Sequence, residues 1–300
     1  MKTKYYIFAL AAMTMTLGSC SDSDNTIGTE APKSITVSTS IGKMTRITTD
    51  AKGAQTFSEG DEISVYAWTG SADKVPAAAE RVVNNAINKL TDKVWVATPQ
   101  MLWKNNLDQH YFIGIYPTKN VDNLTADTYT FNAENQLASD LLVAVNVKGL
   151  SYTKDAKDAV KLDFTHVMAK MVVNLSYKNQ WGGTPTVKSV VVSDAVKEAT
   201  INYLTKAVTP TATAKADFEV PATVANTQYV SVLIPQNGIQ KLAITIGDKT
   251  FIYDNGTPFN FESGKITTIN LEVGRDQVIL DEVKISDWEN GSTFHGEAFD

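Results

Sequence analysis

Short runs of alternating apolar and polar residues recur along most of this chain, each closed by turn residues after roughly ten positions, and that pattern confines it to an all-β fold. In residues 34–41, Ile35, Val37 and Ile41 point one way, while Thr36, Ser38 and Ser40 point the other. Residues 62–68 repeat the pattern behind the turn Glu59-Gly60-Asp61. Further strands are expected at 93–97, 109–115, 128–131 and 141–146. The strongest hairpin joins 242–246 to 249–253 through Gly247-Asp248, because glycine in first place suits a tight antiparallel turn. Asn237-Gly238, Asn255-Gly256 and Asn290-Gly291 mark other turns. Helical periodicity is sparse: residues 76–86 read either as a short helix, with Pro76 near its start, or as a loop. Many short strands between closely spaced turns predict antiparallel β-sandwiches rather than an α/β fold.

A polar, charged stretch at 152–159 has no apolar period and is the expected domain boundary. Sequence enough for one seven-stranded sandwich lies on each side, so two tandem domains are expected, at 34–156 and 157–300. The formal charge is −6, and removing Lys2 and Lys4 takes it to −8. An acidic chain without a basic patch is a poor partner for nucleic acid. Arginine is scarce: Arg46, Arg81 and Arg275 stand against twenty-four lysines. Each arginine is therefore a rare address for a protease that reads arginine.

Residues 1–19 have the form of a secretory signal, with Lys2 and Lys4 ahead of an apolar run too short to span a bilayer permanently. No second apolar stretch approaches a membrane span. The run ends in Leu17-Gly18-Ser19-Cys20, which resembles the lipobox of bacterial lipoproteins. Cys20 is the only cysteine, so no internal disulfide is available to it. Acyl chains on Cys20 would anchor the protein to a membrane, each buried methylene contributing about 0.8 kcal/mol. Residues 20–33 then read as a lipidated tether. Its cluster Ser21-Asp22-Ser23-Asp24-Asn25 resembles the export tag that carries some Bacteroidetes lipoproteins to the outer face of the outer membrane, and a solvated linker explains it as well.

No catalytic constellation emerges, and no cofactor is implied. His110, His166 and His295 are not spaced for zinc, and His110 and His166 read as half-buried histidines with hydrogen-bond partners. Asp22 and Asp24 lack the glycine and distal glutamate of a calcium loop. Among the tryptophans, Trp95 and Trp288 sit in strand patterns and read as core. Trp103 and Trp181 lie near turns, where an exposed ring can stack on a sugar or cover one end of a sandwich.

Five segments, in order, are similar to the fimbrillin-like proteins of Bacteroidetes. They are Phe57-Ser58-Glu59-Gly60-Asp61-Glu62-Ile63-Ser64-Val65-Tyr66, Tyr111-Phe112-Ile113-Gly114-Ile115-Tyr116-Pro117, Asp140-Leu141-Leu142-Val143-Ala144, Leu162-Asp163-Phe164-Thr165-His166-Val167-Met168-Ala169-Lys170, and Ile285-Ser286-Asp287-Trp288 with Gly291. In that family the fourth segment opens the second domain. The resemblance implies a pilin lipoprotein of two transthyretin-like sandwiches, carried to the outer membrane. There an arginine-specific protease removes the first strand, and a neighbouring subunit lends a replacement, building a fimbria.

Residues 34–41, with Ile35, Val37 and Ile41, are the candidate removable strand. The threonine-rich stretch after it holds the candidate cleavage site, between Arg46 and Ile47. Val278, Leu280, Val283 and Ile285 are the candidate donor strand, which is either lent or kept in the second sandwich. While the first strand is attached, it competes at high effective concentration, so its removal is the switch. The alternative is a surface lipoprotein that binds glycans and does not polymerise. Host or bacterial surface glycans or proteins are therefore candidate partners beside other subunits.

Overall fold

The computed structural model describes residues 33–42, 56–155, 157–254 and 256–288. Nineteen strands are found there. The first nine are β1 (Val37–Ile41), β2 (Glu62–Thr69), β3 (Val83–Thr91), β4 (Val94–Thr98), β5 (His110–Tyr116), β6 (Asp127–Thr130), β7 (Leu142–Leu150), β8 (Val160–His166) and β9 (Ala169–Tyr177). There follow β10 (Val187–Val196), β11 (Glu198–Asn202), β12 (Ala207–Pro210), β13 (Lys215–Glu219) and β14 (Ala222–Val224). The last are β15 (Gln228–Leu233), β16 (Lys241–Ile246), β17 (Lys249–Asp254), β18 (Lys265–Val273) and β19 (Val278–Asp287). The expected hairpin is β16–β17, with Ile246 opposite Lys249 and Gly247 at φ 60°.

The strands form four sheets. One has seven, in the order β1-β8-β7-β5-β2-β3-β4. It curls so that its two ends meet: residues 33–35 bond to residues 101–103, and the Trp95 indole N–H reaches Thr39. Inside the curl lies a core of Ile35, Val37, Trp95, Trp103, Leu162 and Phe164 among others. The central strands β2 and β5 are buried on both faces, which explains their nearly continuous apolar runs. Phe112 faces the inner core, while Tyr111, Ile113 and Ile115 face a second, larger one. That larger core is shared with the three-stranded sheet β12-β11-β6, the four-stranded sheet β13-β10-β16-β17 and the five-stranded sheet β14-β15-β9-β18-β19. Tyr66 shows how the second face is closed. Its hydroxyl donates to the Lys119 carbonyl at 2.6 Å and accepts from the Val121 N–H at 2.9 Å. Burial pushes it up to about 12.

Two readings of the sequence are corrected. Residues 76–86 hold only a single 3-10 turn, Ala78–Glu80, and Val83 already begins β3. The strand is hidden in the sequence because a bulge opposite Tyr66 puts Val83 and Ala86 on the same face, breaking the period of two. The stretch 162–170 is not one strand opening the second domain. β8 belongs to the seven-stranded sheet, and β9 opens the five-stranded one. The apolar phase shifts at Val167-Met168, so β8 fills the inner core and β9 the larger one. The pairing among the described residues is mostly antiparallel, as expected, with β1–β8 and β9–β18 as its parallel pairs. Three pairings run across the expected boundary at 156/157: β1 with β8, β7 with β8, and β6 with β11.

Candidate strand-exchange site

β1 occupies one end of the seven-stranded sheet. It runs parallel to β8, from Val37 opposite Val160 to Ile41 opposite Phe164. The Val160 N–H donates to the Thr36 carbonyl at 2.8 Å, and the Gly42 N–H to the Phe164 carbonyl at 2.9 Å. Just ahead of β1 the chain is bonded on its other side. The Ile35 N–H donates to the Met101 carbonyl at 2.8 Å, and the Trp103 N–H to the Lys33 carbonyl at 3.2 Å. Residues 33–42 thus tie the two ends of the curl together.

Ile35 is 3% exposed and Val37 is 6% exposed, so both belong to the inner core. Thr39 continues the row, its hydroxyl accepting from the Trp95 indole N–H at 3.0 Å. Ile41 closes the row half-buried, beside a cavity of about 400 Å³ lined also by Phe57, Asp61, Tyr116, Asp140 and Leu142. Phe57 packs edge-on against Trp95, Tyr116 and Phe164, with ring centroids 5.2–5.3 Å apart. Without residues 33–42, the free edge of β8 and a slot over Leu162 and Phe164 would face water, a state that edge strands are built to avoid. An extended segment with the row apolar–apolar–threonine–apolar matches that slot. Val160, Leu162 and Phe164, which line it, were missed as site residues in the sequence. Their alternation was legible, but their pairing with residues 37–41 was not.

The candidate donor residues lie together in β19, at the edge of the five-stranded sheet. A bulge at Asp281 sets Leu280 opposite Leu271 and Glu282 opposite Asn270. All four residues therefore share the core face. Val278 and Leu280 pack on the core. Val283 and Ile285 oppose the fully buried Ile269 and Thr267, yet remain 37% and 42% exposed. The second half of β19 is held mainly by its ladder to β18.

Cys20, Arg46, Ile47, Asp22, Asp24 and His295 lie outside the described residues. His110 is fully buried. Its Nε2 accepts the Lys104 N–H at 3.1 Å, its Nδ1 meets the Asp108 carbonyl at 3.1 Å, and burial lowers its pKa. His166 is 6% exposed, and its Nδ1–H donates to Asp140 at 2.9 Å. Trp103 is buried in the inner core rather than exposed near a turn. Trp181 is half-buried against the larger core, its indole N–H donating to the Val273 carbonyl at 3.0 Å. Among the described residues, no three His, Cys, Asp or Glu side chains come together as a metal site.

The fold has counterparts among known proteins. A family model described as fimbrillin-like matches residues 45–288. The chain belongs to the fimbrillin-like family. The match begins just before Arg46 and leaves β1 outside it. No curated protein sequence matches. Solved structures share the fold of this fimbrillin-like chain. One, a candidate cell adhesion protein from Bacteroides ovatus, is 19% identical with a TM-score of 0.65, covering 86% of this chain and 99% of its own. Another, from Bacteroides uniformis, is 17% identical with a TM-score of 0.66, covering 87% and 99%. The tip fimbrial protein Mfa3 from Porphyromonas gingivalis, with C-terminal truncation, is 9% identical with a TM-score of 0.52, covering 77% and 95%.

Proposed function

We propose that this chain is a non-catalytic structural and adhesive subunit of a cell-surface fimbria. It is exported as a lipoprotein on Cys20, held at the outer membrane, and released for assembly when an arginine-specific protease cuts between Arg46 and Ile47. A strand from a neighbouring subunit then takes the place of residues 33–42. The observation that carries this reading is the double seam of that segment, which is bonded to β8 on one side and to residues 101–103 on the other while Ile35 and Val37 fill the inner core. Family membership supports the fimbrial role.

The energetics favour exchange once the covalent link is gone. Each of the two buried side chains contributes about 1.5–3 kcal/mol, and each main-chain hydrogen bond about 0.5–1.5 kcal/mol. A slot of that depth holds an incoming strand by β-augmentation. Digestion with an arginine-specific protease, N-terminal sequencing and electron microscopy test the proposal together. The expected result is a new terminus at Ile47 followed by rods, with Arg46→Ala remaining monomeric. Rods from Arg46→Ala, or a stable monomer after complete cleavage in the presence of donor subunits, would refute it.

A further inference from the structure

Residues from three of the sequence motifs meet at one corner of the fold. Asp140 precedes β7, His166 ends β8, and Trp288 follows the last residue of β19. The His166 Nδ1–H donates to both Asp140 carboxylate oxygens, at 3.0 and 2.9 Å. The His166 ring lies flat on the Trp288 indole, with centroids 4.0 Å apart and planes 5° apart. On the indole sits Lys170, its Nζ 5.7 Å from the ring centroid. Burial lowers the Lys170 pKa, with the Asp140 charge opposing.

The backbone reinforces the corner. The Trp288 N–H donates to the Gly264 carbonyl at 3.0 Å, the Gly264 N–H to the Met168 carbonyl at 2.8 Å, and the Val167 N–H to the Leu141 carbonyl at 3.0 Å. Gly264 has φ 67°, and a Cβ there would meet the His166 carbonyl oxygen at 3.1 Å, so glycine is favoured there. The end of β19 is thus joined through this corner to the crossover between the two large sheets. Two further facts give the corner a consequence. The half of β19 nearest Trp288 has little cover, since Val283 and Ile285 are open to solvent. Asp140 also lines the cavity beside Ile41, at the end of β1.

We propose that Asp140, His166 and Trp288 form a latch that fixes the C-terminal strand and makes its hold depend on the residue bordering the end of the removable N-terminal strand. Asp140 orients the imidazole, and the imidazole offers Trp288 a flat, fixed partner. With β1 in place, Ile41 forms one wall of the cavity that Asp140 also lines. With β1 gone, that wall is lost, the imidazole loses its fixed orientation, and β19 frays from its Trp288 end. Opening of the N-terminal slot and loosening of the C-terminal strand are then linked events. The consequence for assembly rests on the proposed strand exchange, whereas the latch itself is testable in the uncleaved protein.

The test is hydrogen exchange read by mass spectrometry on the intact, uncleaved chain and its variants, with a peptide covering 283–288 as the reporter. An aromatic stack shifts an opening equilibrium by roughly twofold to tenfold. Trp288→Ala and His166→Ala are expected to raise exchange in that peptide by about that factor, with the peptides of β5 and β9 unchanged. Asp140→Asn is expected to act in the same direction, although Asp140 reaches Trp288 through His166, with Lys170 as a second charged group between them. The double variant Asp140→Asn/Trp288→Ala is expected to exchange no faster than Trp288→Ala alone, the signature of a shared element. His166→Phe keeps a flat ring and loses the carboxylate, so it should fold and make exchange insensitive to Asp140→Asn. Unchanged exchange at 283–288 in Trp288→Ala, or additive effects at positions 140 and 288, would overturn the latch. A latch that behaves as expected in a protein that never forms rods would leave the corner standing and remove the strand-exchange reading instead.

Discussion

Ile35→Ala is the substitution that most directly weighs the N-terminal segment. Ile35 is 3% exposed, sits in the inner core, and donates its N–H to the Met101 carbonyl at 2.8 Å. The variant keeps that main-chain bond and removes only side-chain volume, so the effect reads packing. Truncating a buried isoleucine to alanine costs about 2–5 kcal/mol, the larger values where neighbours cannot collapse. Collapse is hindered here, because Trp103 and Phe112 pack edge-on in the same core, with centroids 6.1 Å apart. For chains of this order, each kcal/mol lowers Tm by about 2–4 °C, giving a fall of roughly 4–20 °C. Thermal unfolding of the uncleaved protein by circular dichroism measures it, with the exposed Thr36 changed to Val as the control. The same variant should release residues 20–46 faster after arginine-specific cleavage. A Tm within about 2 °C of the parent would mean that the segment lies outside the cooperative core, and the account of a strand held by burial would fail.

A synthetic peptide of residues 33–42, added in excess to protein cleaved after Arg46, should raise its Tm and slow rod formation, as a ligand at a hundredfold its Kd adds about 2.7 kcal/mol; a Val37→Asp peptide should do neither, and equal effects of the two in a light-scattering assay would count against the slot. Gly114→Ala should destabilise by about 1–3 kcal/mol in urea unfolding, because the added Cβ would lie 2.7 Å from Cζ of Phe164, a fully buried ring under Ile41 and Phe57; an unchanged midpoint would show that Phe164 can move aside freely. His110 gives a pH signature. Its folded pKa is lowered by burial, and its Nε2 already accepts a backbone N–H, so the unfolded chain binds the proton more readily. Stability should be full above the ordinary histidine value of about 6.5 and fall as the pH drops through the window between that value and the lowered folded one. His110→Gln should flatten that part of a Tm-versus-pH curve, and a slope unchanged by the substitution would assign it to other groups.

Much of the architecture was legible in the chain because a strand carries its signature locally. Residues 62–68, 109–115 and the 242–253 hairpin were readable since their burial follows the pleat, or covers both faces of a central strand. β3 was not, because the bulge at Asn84 and Asn85 interrupts the period that makes a strand visible. The row Ile35, Val37 and Ile41 was equally readable, but the seam it makes was not. Neither the parallel pairing with β8 nor the closure on residues 101–103 leaves a trace in the periodicity of either segment.

By itself the amino-acid order determined strand content, the apolar face of each strand and the scarcity of arginine, all properties of a residue and its near neighbours. Only tertiary structure decided which strand lies beside which, how one sheet curls until its two ends meet at residues 33–35, and that Asp140, His166 and Trp288 converge at one corner. The physical reason is that strand pairing satisfies backbone groups common to every residue. The choice of partner therefore falls to packing between segments far apart in the chain, and no local pattern records it.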